Sequence, residues 1–241
     1  MEQPKLAVST VIFSLLPSET TGRMALHLPL VRRIREPHRG RWALPGGPLA
    51  PDEDLPDAAR RHLHDTTALS PTYLEQLYAF GAPARGGEER VVSIVYWALV
   101  SQESASGRPA GADPAALSSA AAALVSGDPN VCWFDADDLP PLAFDHRTIV
   151  DYALWRLRTK IEYSRIAHAF VGDTFTLTQL REVHEAVLGR ALDPANFRRM
   201  IEASDSVIPT GEHLLGTKHR PPKLYRYNSA VDLADTNPLR G

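Results

Sequence analysis

Apolar positions follow strand-like runs through most of the first 145 residues and a helical period after them. Lys5 to Leu16, KLAVSTVIFSLL, is rich in β-branched and apolar residues and predicts a strand, which Thr20 to Gly22 ends. Met24 to Arg33 predicts a second strand, with Pro29 placing it at an edge or a bulge. Ala58, Ala59, Leu63 and Leu69 recur at near-helical spacing and predict a helix over Asp57 to Thr67. Tyr73 to Phe80 predicts a strand ending at Gly81, and RVVSIVYWALV, Arg90 to Val100, is the strongest strand signal; PARGGEER between them is a polar hairpin loop. Ser101 to Asn130 is rich in Ala, Gly, Ser and Pro and predicts a loose connection with one short helix, Pro114 to Leu124. Val131 to Phe134 is a short strand before the turn DADDLPPLAFDH.

Ile149, Val150, Ala153, Leu154, Leu157 and Ile161 share one apolar helical face, so one helix runs from His146 to about Ile161. Glu162 to Phe170 predicts a further helix. Thr178 is the expected N-cap of Gln179 to Leu188, closed by Gly189 as a C′ glycine. Asp193 caps the next helix, Pro194 to Ala203, with the proline where a missing N–H costs nothing. Phe197, Ile201, Val187 and Leu188 are its core candidates. Val207 to Tyr227 predicts a hairpin, and the residues after Asn228 a tail.

At 241 residues the chain suits two domains better than one. No apolar run reaches the roughly 18 residues of a membrane span, and the first residues lack the order of a signal peptide. A lone cysteine, Cys132, excludes an internal disulfide, and a cytoplasmic protein follows. Residues 1–155 carry 13 Lys/Arg against 19 Asp/Glu, whereas residues 156–228 carry 12 against 8. The basic half is therefore the candidate for a polyanion partner.

Candidate chemistry concentrates between Gly40 and Leu69, GRWALPGGPLAPDEDLPDAARRHLHDTTAL. Gly46 and Gly47 after Pro45 predict a tight turn whose N–H groups reach an anion without Cβ interference. Arg32, Arg33, Arg35, Arg39 and Arg41 cluster before it, a residue type suited to phosphate. Two roles are open to Trp42: stacking on a base, or capping the core, which is the commoner. The segment resembles the Nudix box, G-x5-E-x7-REUxEExGU with U aliphatic. From Gly47, its first Glu is Glu53, its Arg is Arg61 and its aliphatic residue is Leu63. The three helix carboxylates of the pattern, which share one face and hold Mg²⁺ against a diphosphate, fall on His62, Asp65 and Thr66, and its glycine on Ala68. The resemblance implies a fold that binds a nucleoside diphosphate derivative with little or no hydrolysis, no catalytic residue and no metal site. Arg33, Arg41, Trp42, Gly46, Gly47 and Glu53 are the ligand-contact candidates. His62 and His64, two apart, do not share a helix face as a metal pair would.

Helix, short turn, helix and hairpin in the basic half outline a winged helix. Asn196, Arg198 and Arg199 stand near the start of the second helix, where Arg suits guanine and Asn suits adenine in the major groove. Lys218, His219, Arg220 and Lys223 at the hairpin tip suit phosphates.

GRWALPGG, WFDADDLPPLAFDH and LDPANFRRMIEASDSVIPTGEHLLGTKHRPPKLYRY together resemble the Nudix-related transcriptional regulators, the NrtR family, over about Leu6 to Tyr227. The expected fold is α+β: a Nudix α/β/α sandwich with a mixed sheet over 1–145, a connecting helix 146–160, a winged helix-turn-helix domain 161–228 and a tail 229–241. The resemblance implies a homodimeric repressor of NAD biosynthesis or salvage genes, without a catalytic cofactor, that senses ADP-ribose or a related metabolite. Two copies would present their recognition helices to an inverted-repeat operator, and ligand would favour a dimer of unsuitable half-site spacing. The chain departs from the family at Arg85 to Arg90, RGGEER, where an Arg-Asp-Pro-Arg-Gly type of sequence is usual. Two alternatives stay open: a sugar-responsive repressor of the same architecture, and a Mg²⁺-dependent pyrophosphatase using Glu53 and Asp65.

Overall fold

The computed structural model describes residues 3–18, 21–86, 89–100, 128–162, 165–214 and 221–228. The expected helix Pro114 to Leu124, Lys218, His219, Arg220 and the tail 229–241 lie outside them. Contacts divide the chain into two compact units, Met1–Trp155 and Arg156–Gly241. No helix among the described residues is long and apolar enough to cross a membrane.

The first unit is built around β1 (Lys5–Pro17), whose length lets it pair with three strands. It runs parallel to β6 (Val91–Leu99) from Lys5 opposite Val91 to Phe13 opposite Leu99. Its far end pairs antiparallel with β2 (Met24–Arg32), Ser14 opposite His27. On that same flank the near end takes the short β4 (Gly46–Pro48). β3 (Trp42–Ala43) and β7 (Val131–Asp135) join β2, and β5 (Tyr73–Phe80) joins β6, so the seven-stranded sheet is mixed. Val8, Val11, Ile12 and Phe13 are fully buried, as the apolar run requires.

Pro29 is neither at an edge nor in a bulge. It faces Trp133 within the β2–β7 ladder. The bonds Ala136 N to Leu26 O and Arg32 N to Asn130 O turn even-numbered residues of β2 toward β7. The ring nitrogen of Pro29 therefore faces the other flank, in the interval between the parts of β2 that pair with β1 and with β3. A donor is missing only where no ladder needs one.

Helix α1 (Leu55–Thr67) starts two residues before its expected first residue, because Asp54 is its N-cap and Pro56 fits the first turn. Ala58, Ala59 and Leu63 are fully buried and pack with Val8, Ile12, Leu16 and Ala98. Ala68 ends the helix in the left-handed region, φ 56°. Helix α2 (His146–Ile161) buries Ile149, Val150, Ala153, Leu154, Leu157 and Ile161, the six positions of its predicted face. The division between the two units falls inside this helix.

In the second unit the expected helix Glu162 to Phe170 is instead a 3-10 turn (Arg165–Ala167) leading into one helical turn, α3 (His168–Val171). Gly172, φ 73° and ψ −169°, stops it in a conformation reserved to glycine. Helix α4 (Leu177–Leu188) begins earlier than expected, and Thr176 rather than Thr178 is its N-cap. Thr176 and Gln179 form a capping box, in which Gln179 N donates to Thr176 Oγ1 at 3.1 Å and Thr176 N to Gln179 Oε1 at 2.8 Å. Gly189 closes α4 at φ 66°, and Asp193 caps α5 (Pro194–Ala203) by accepting from Asn196 N at 2.8 Å. Strands β8 (Val207–His213) and β9 (Lys223–Tyr227) form the hairpin, and Phe175 adds to β9 through two backbone bonds with Tyr225.

Candidate functional site

Gly46 and Gly47 do not form the expected turn. They are strand β4, and neither has positive φ. Their lack of side chains serves close packing instead. A Cβ on Gly46 would lie 2.6 Å from Val8 O, and one on Gly47 2.9 Å from His62 Cε1.

The end of β2, the segment Ala43 to Gly46 and one face of α1 enclose a cleft of about 380 Å³. Arg32, Arg33 and Arg35 line it from the end of β2 and the loop that follows, and His62, Asp65 and Thr66 from α1. These last three are the box positions of the helix carboxylates, brought to one face by the helical period. Of the six expected ligand contacts the cleft lining includes Arg33 and Gly46 but not Arg41, Trp42, Gly47 or Glu53. Trp42 packs edge-on to Phe134 at 5.0 Å between centroids, the core role. Arg41 is exposed, and its carbonyl accepts from Arg33 N at 2.9 Å. Glu53 is held by Arg61, which donates from Nε and Nη2 to its two carboxylate oxygens, both at 2.7 Å. That pairing keeps the Glu53 carboxyl below the usual carboxylate range.

Arg33 is positioned from two sides. Its Nε donates to Pro37 O at 2.8 Å, and its guanidinium lies 4.6 Å from the centre of the Phe144 ring. Among the described residues the Arg32 side chain donates only to Gly40 O, at 3.4 Å, and the Arg35 side chain has no hydrogen bond or ion pair. The His62 imidazole, partly buried beside Gly47, has its pKa lowered by desolvation and then by Arg61, and its Nε2 has no hydrogen-bond partner. Arg85, in the loop that departs from the family pattern, is a buried anchor: Nε and Nη2 donate to Asp145 at 2.9 Å each and Nη1 to Ser93 Oγ at 2.7 Å.

Arg32, Arg35, His62, Asp65, Thr66 and Asp128 are lining residues that reasoning on local sequence did not select as contacts. The register of the box could have found three of them, since it assigns His62, Asp65 and Thr66 to one helix face.

The second surface is α5. It buries Phe197 and Ile201 and exposes its other side chains from Asn196 onward. At about 100° per residue, Arg199 points directly away from that buried stripe, and Asn196 and Arg198 lie on its two flanks, roughly 160° apart. Arg199 donates to Asn196 Oδ1, and Arg198 Nε to Glu202 Oε1 at 2.9 Å. The turn before α5 is tied by Glu185, which accepts from Leu192 N at 2.8 Å and pairs with Arg181 at 2.5 Å. His184 packs edge-on to Phe197 at 5.1 Å, and burial lowers its pKa to about 4. Of the hairpin basics, Lys223 is exposed at the start of β9.

Residues 7–153 match the NUDIX domain family, and residues 168–227 match the NrtR DNA-binding winged helix domain. The chain is 29% identical over 228 residues to the ADPR responsive transcriptional repressor NtrR of Acinetobacter baylyi, covering 93% of this chain and 82% of that one. It is 30% identical over 130 residues to an ADP-ribose pyrophosphatase of Methanocaldococcus jannaschii, covering 53% and 66%. Among solved structures, Shewanella oneidensis NrtR complexed with a 27mer DNA superposes with a TM-score of 0.70 at 32% identity, over 92% of this chain and 93% of that one. A Nudix sheet carrying the cleft, followed by a capped helix-turn-helix and wing that match in sequence and fold along nearly the whole length, means that this chain belongs to the Nudix-related transcriptional regulators, the NrtR family.

Proposed function

We propose that this protein is a transcriptional repressor that binds operator DNA through α5 and its wing and is controlled by ADP-ribose in the Nudix cleft. The observation that carries the reading is the amphipathic division of α5: two buried anchors, and an exposed polar face that includes Arg199. Arg199 reads base edges, Arg198 and Lys223 meet phosphates, and Asn196 sets the pose of Arg199. The likeness to a DNA-bound relative and to an ADPR responsive repressor supports both halves. By linkage, ADP-ribose releases the operator only if it binds free protein more tightly than DNA-bound protein.

The repressor acts as a homodimer on an inverted repeat, since a two-fold protein matches a two-fold site. Tyr78, Phe80, Tyr152 and Trp155 support this. Their rings form a continuous cluster with centroids 5.4 to 6.3 Å apart, and Tyr78 and Trp155 are 58% and 55% exposed, an apolar surface suited to a second copy. The genes controlled are those of NAD biosynthesis or salvage. The cleft binds without hydrolysing, because Asp65 is the one carboxylate left among the three box positions.

The test is binding of the purified protein to DNA upstream of its own and neighbouring genes, at a stated salt concentration, with ADP-ribose titrated in. A specific complex dissolved by ADP-ribose is expected. Absence of a specific complex together with Mg²⁺-dependent consumption of ADP-ribose would replace the repressor with a pyrophosphatase.

A further inference from the structure

Nudix chemistry implies Mg²⁺ between helix carboxylates and a diphosphate, and the residues of this cleft do not fit that ion. Mg²⁺ demands near-ideal octahedral oxygen coordination and reaches phosphates through carboxylates. Here His62 presents an imidazole, and Thr66 presents a hydroxyl whose proton is donated to His62 O at 2.7 Å. Glu53, the remaining acid of the box, is occupied on both oxygens by Arg61 and does not line the cleft. Asp65 is the carboxylate of the helix that lines the cleft, and Asp128 lines it as well.

The lining contributed by the end of β2 and the loop after it has the reverse character. Arg32, Arg33 and Arg35 all line the cleft, and none has a carboxylate partner among the described residues. Elsewhere in the same unit Arg60, Arg61, Arg85 and Arg147 each pair with an acid at 2.7 to 2.9 Å. Three uncompensated guanidiniums against two carboxylates make the cleft attractive to an anion and repulsive to a divalent cation. The imidazole of His62 also lines the cleft, and its Nε2, buried beside Gly47, has no hydrogen-bond partner. Gly47 keeps room for that ring, since any side chain there would press on Cε1.

We propose that the cleft takes the diphosphate of its ligand directly, without a bridging cation, with His62 donating a hydrogen bond to a phosphate oxygen and Arg33 and Arg35 neutralising its charge. The proposal rests on the reading of this cleft as the effector site. A protein cation replaces the metal, and the substitution that removes hydrolysis thereby preserves recognition. Direct charge-assisted bonds from Arg and His suit this, being about twice as strong as neutral ones.

The experiment is calorimetric titration of the full chain with ADP-ribose and, separately, with inorganic pyrophosphate, each in EDTA and in excess Mg²⁺. ADP-ribose affinity in EDTA within about twofold of that in Mg²⁺ is expected, and His62→Ala and Arg35→Gln should each weaken it by roughly tenfold. Arg35 is exposed and unpaired, so its variant tests the cleft without disturbing the core. His62→Glu, which restores the box carboxylate, should weaken binding in EDTA and make it respond to Mg²⁺. Loss of native affinity in EDTA, or variants of His62 and Arg35 that both bind normally, would overturn the proposal. Pyrophosphate bound in EDTA and dependent on His62, with ADP-ribose not bound, would uphold the metal-free anion site and reject ADP-ribose as the effector. Failure of both probes in both buffers would overturn the two together.

Discussion

His146 Nδ1 accepts a hydrogen bond from the backbone N–H of Leu44 at 2.9 Å, joining the first residue of α2 to a lining residue of the cleft across 102 positions of chain. Only a deprotonated Nδ1 can accept. Burial enforces the same state, lowering the pKa of His146 to about 4.

This makes the first unit acid-sensitive. The folded pKa lies below the unfolded value near 6.5, so the contribution is fully present above about pH 6.5 and is lost as pH falls toward about 4. Of about 3 kcal/mol at stake, roughly 2 should be gone at pH 5. Denaturant melts from pH 7.5 to 4.5 should show the loss, and His146→Gln, whose amide oxygen can accept from Leu44 without titrating, should flatten that limb. An unchanged pH profile in the variant would assign the acid sensitivity elsewhere, with His184 the next group to examine.

Ala68 occupies a left-handed C-cap where the Nudix pattern has glycine. A Cβ there costs about 1 kcal/mol, partly offset by the lower entropy of unfolded alanine. Ala68→Gly should therefore stabilise the first unit by somewhat under about 1 kcal/mol, a rise in melting temperature of roughly 2 °C. A lower melting temperature would contradict the assignment of φ 56° at this residue.

Arg199 and Arg198 should fail differently in DNA binding. Arg199→Ala should reduce operator affinity about tenfold or more while sparing nonspecific DNA, the loss of one base contact. Arg198→Ala should weaken both kinds of DNA alike and lower the salt slope by about one. Identical behaviour of the two variants in a salt titration would reject the different faces assigned to them.

The exposed rings of β5 and α2 are the contact surface of the proposed homodimer. Trp155→Glu should shift sedimentation toward monomer and weaken binding to the inverted repeat, with little change in melting temperature because the ring is 55% exposed. A variant that stays dimeric would move the two-fold contact away from this surface.

Sequence alone determined the elements that depend on local chemistry. The apolar run of β1, the six-residue face of α2, the Asp193–Pro194 start of α5 and the glycine stop at Gly189 are each set by a period or by a cap. It also determined that the box helix lacks two of its carboxylates. What it could not determine were relationships between segments distant in sequence. Gly46 and Gly47 read locally as a turn, yet the requirement they satisfy comes from Val8 and His62, brought against them by pairing with β1 and by packing of α1. Glu53 is a ligand-contact candidate by its place in the box, and its pairing with Arg61 belongs to the folded state; Arg35 and His62 become cleft residues only where the end of β2 and α1 come together. Local propensity and capping act over a few residues and leave their mark in the sequence itself; a cleft is a coincidence of surfaces, created when burial of the apolar faces fixes which strands and helices meet.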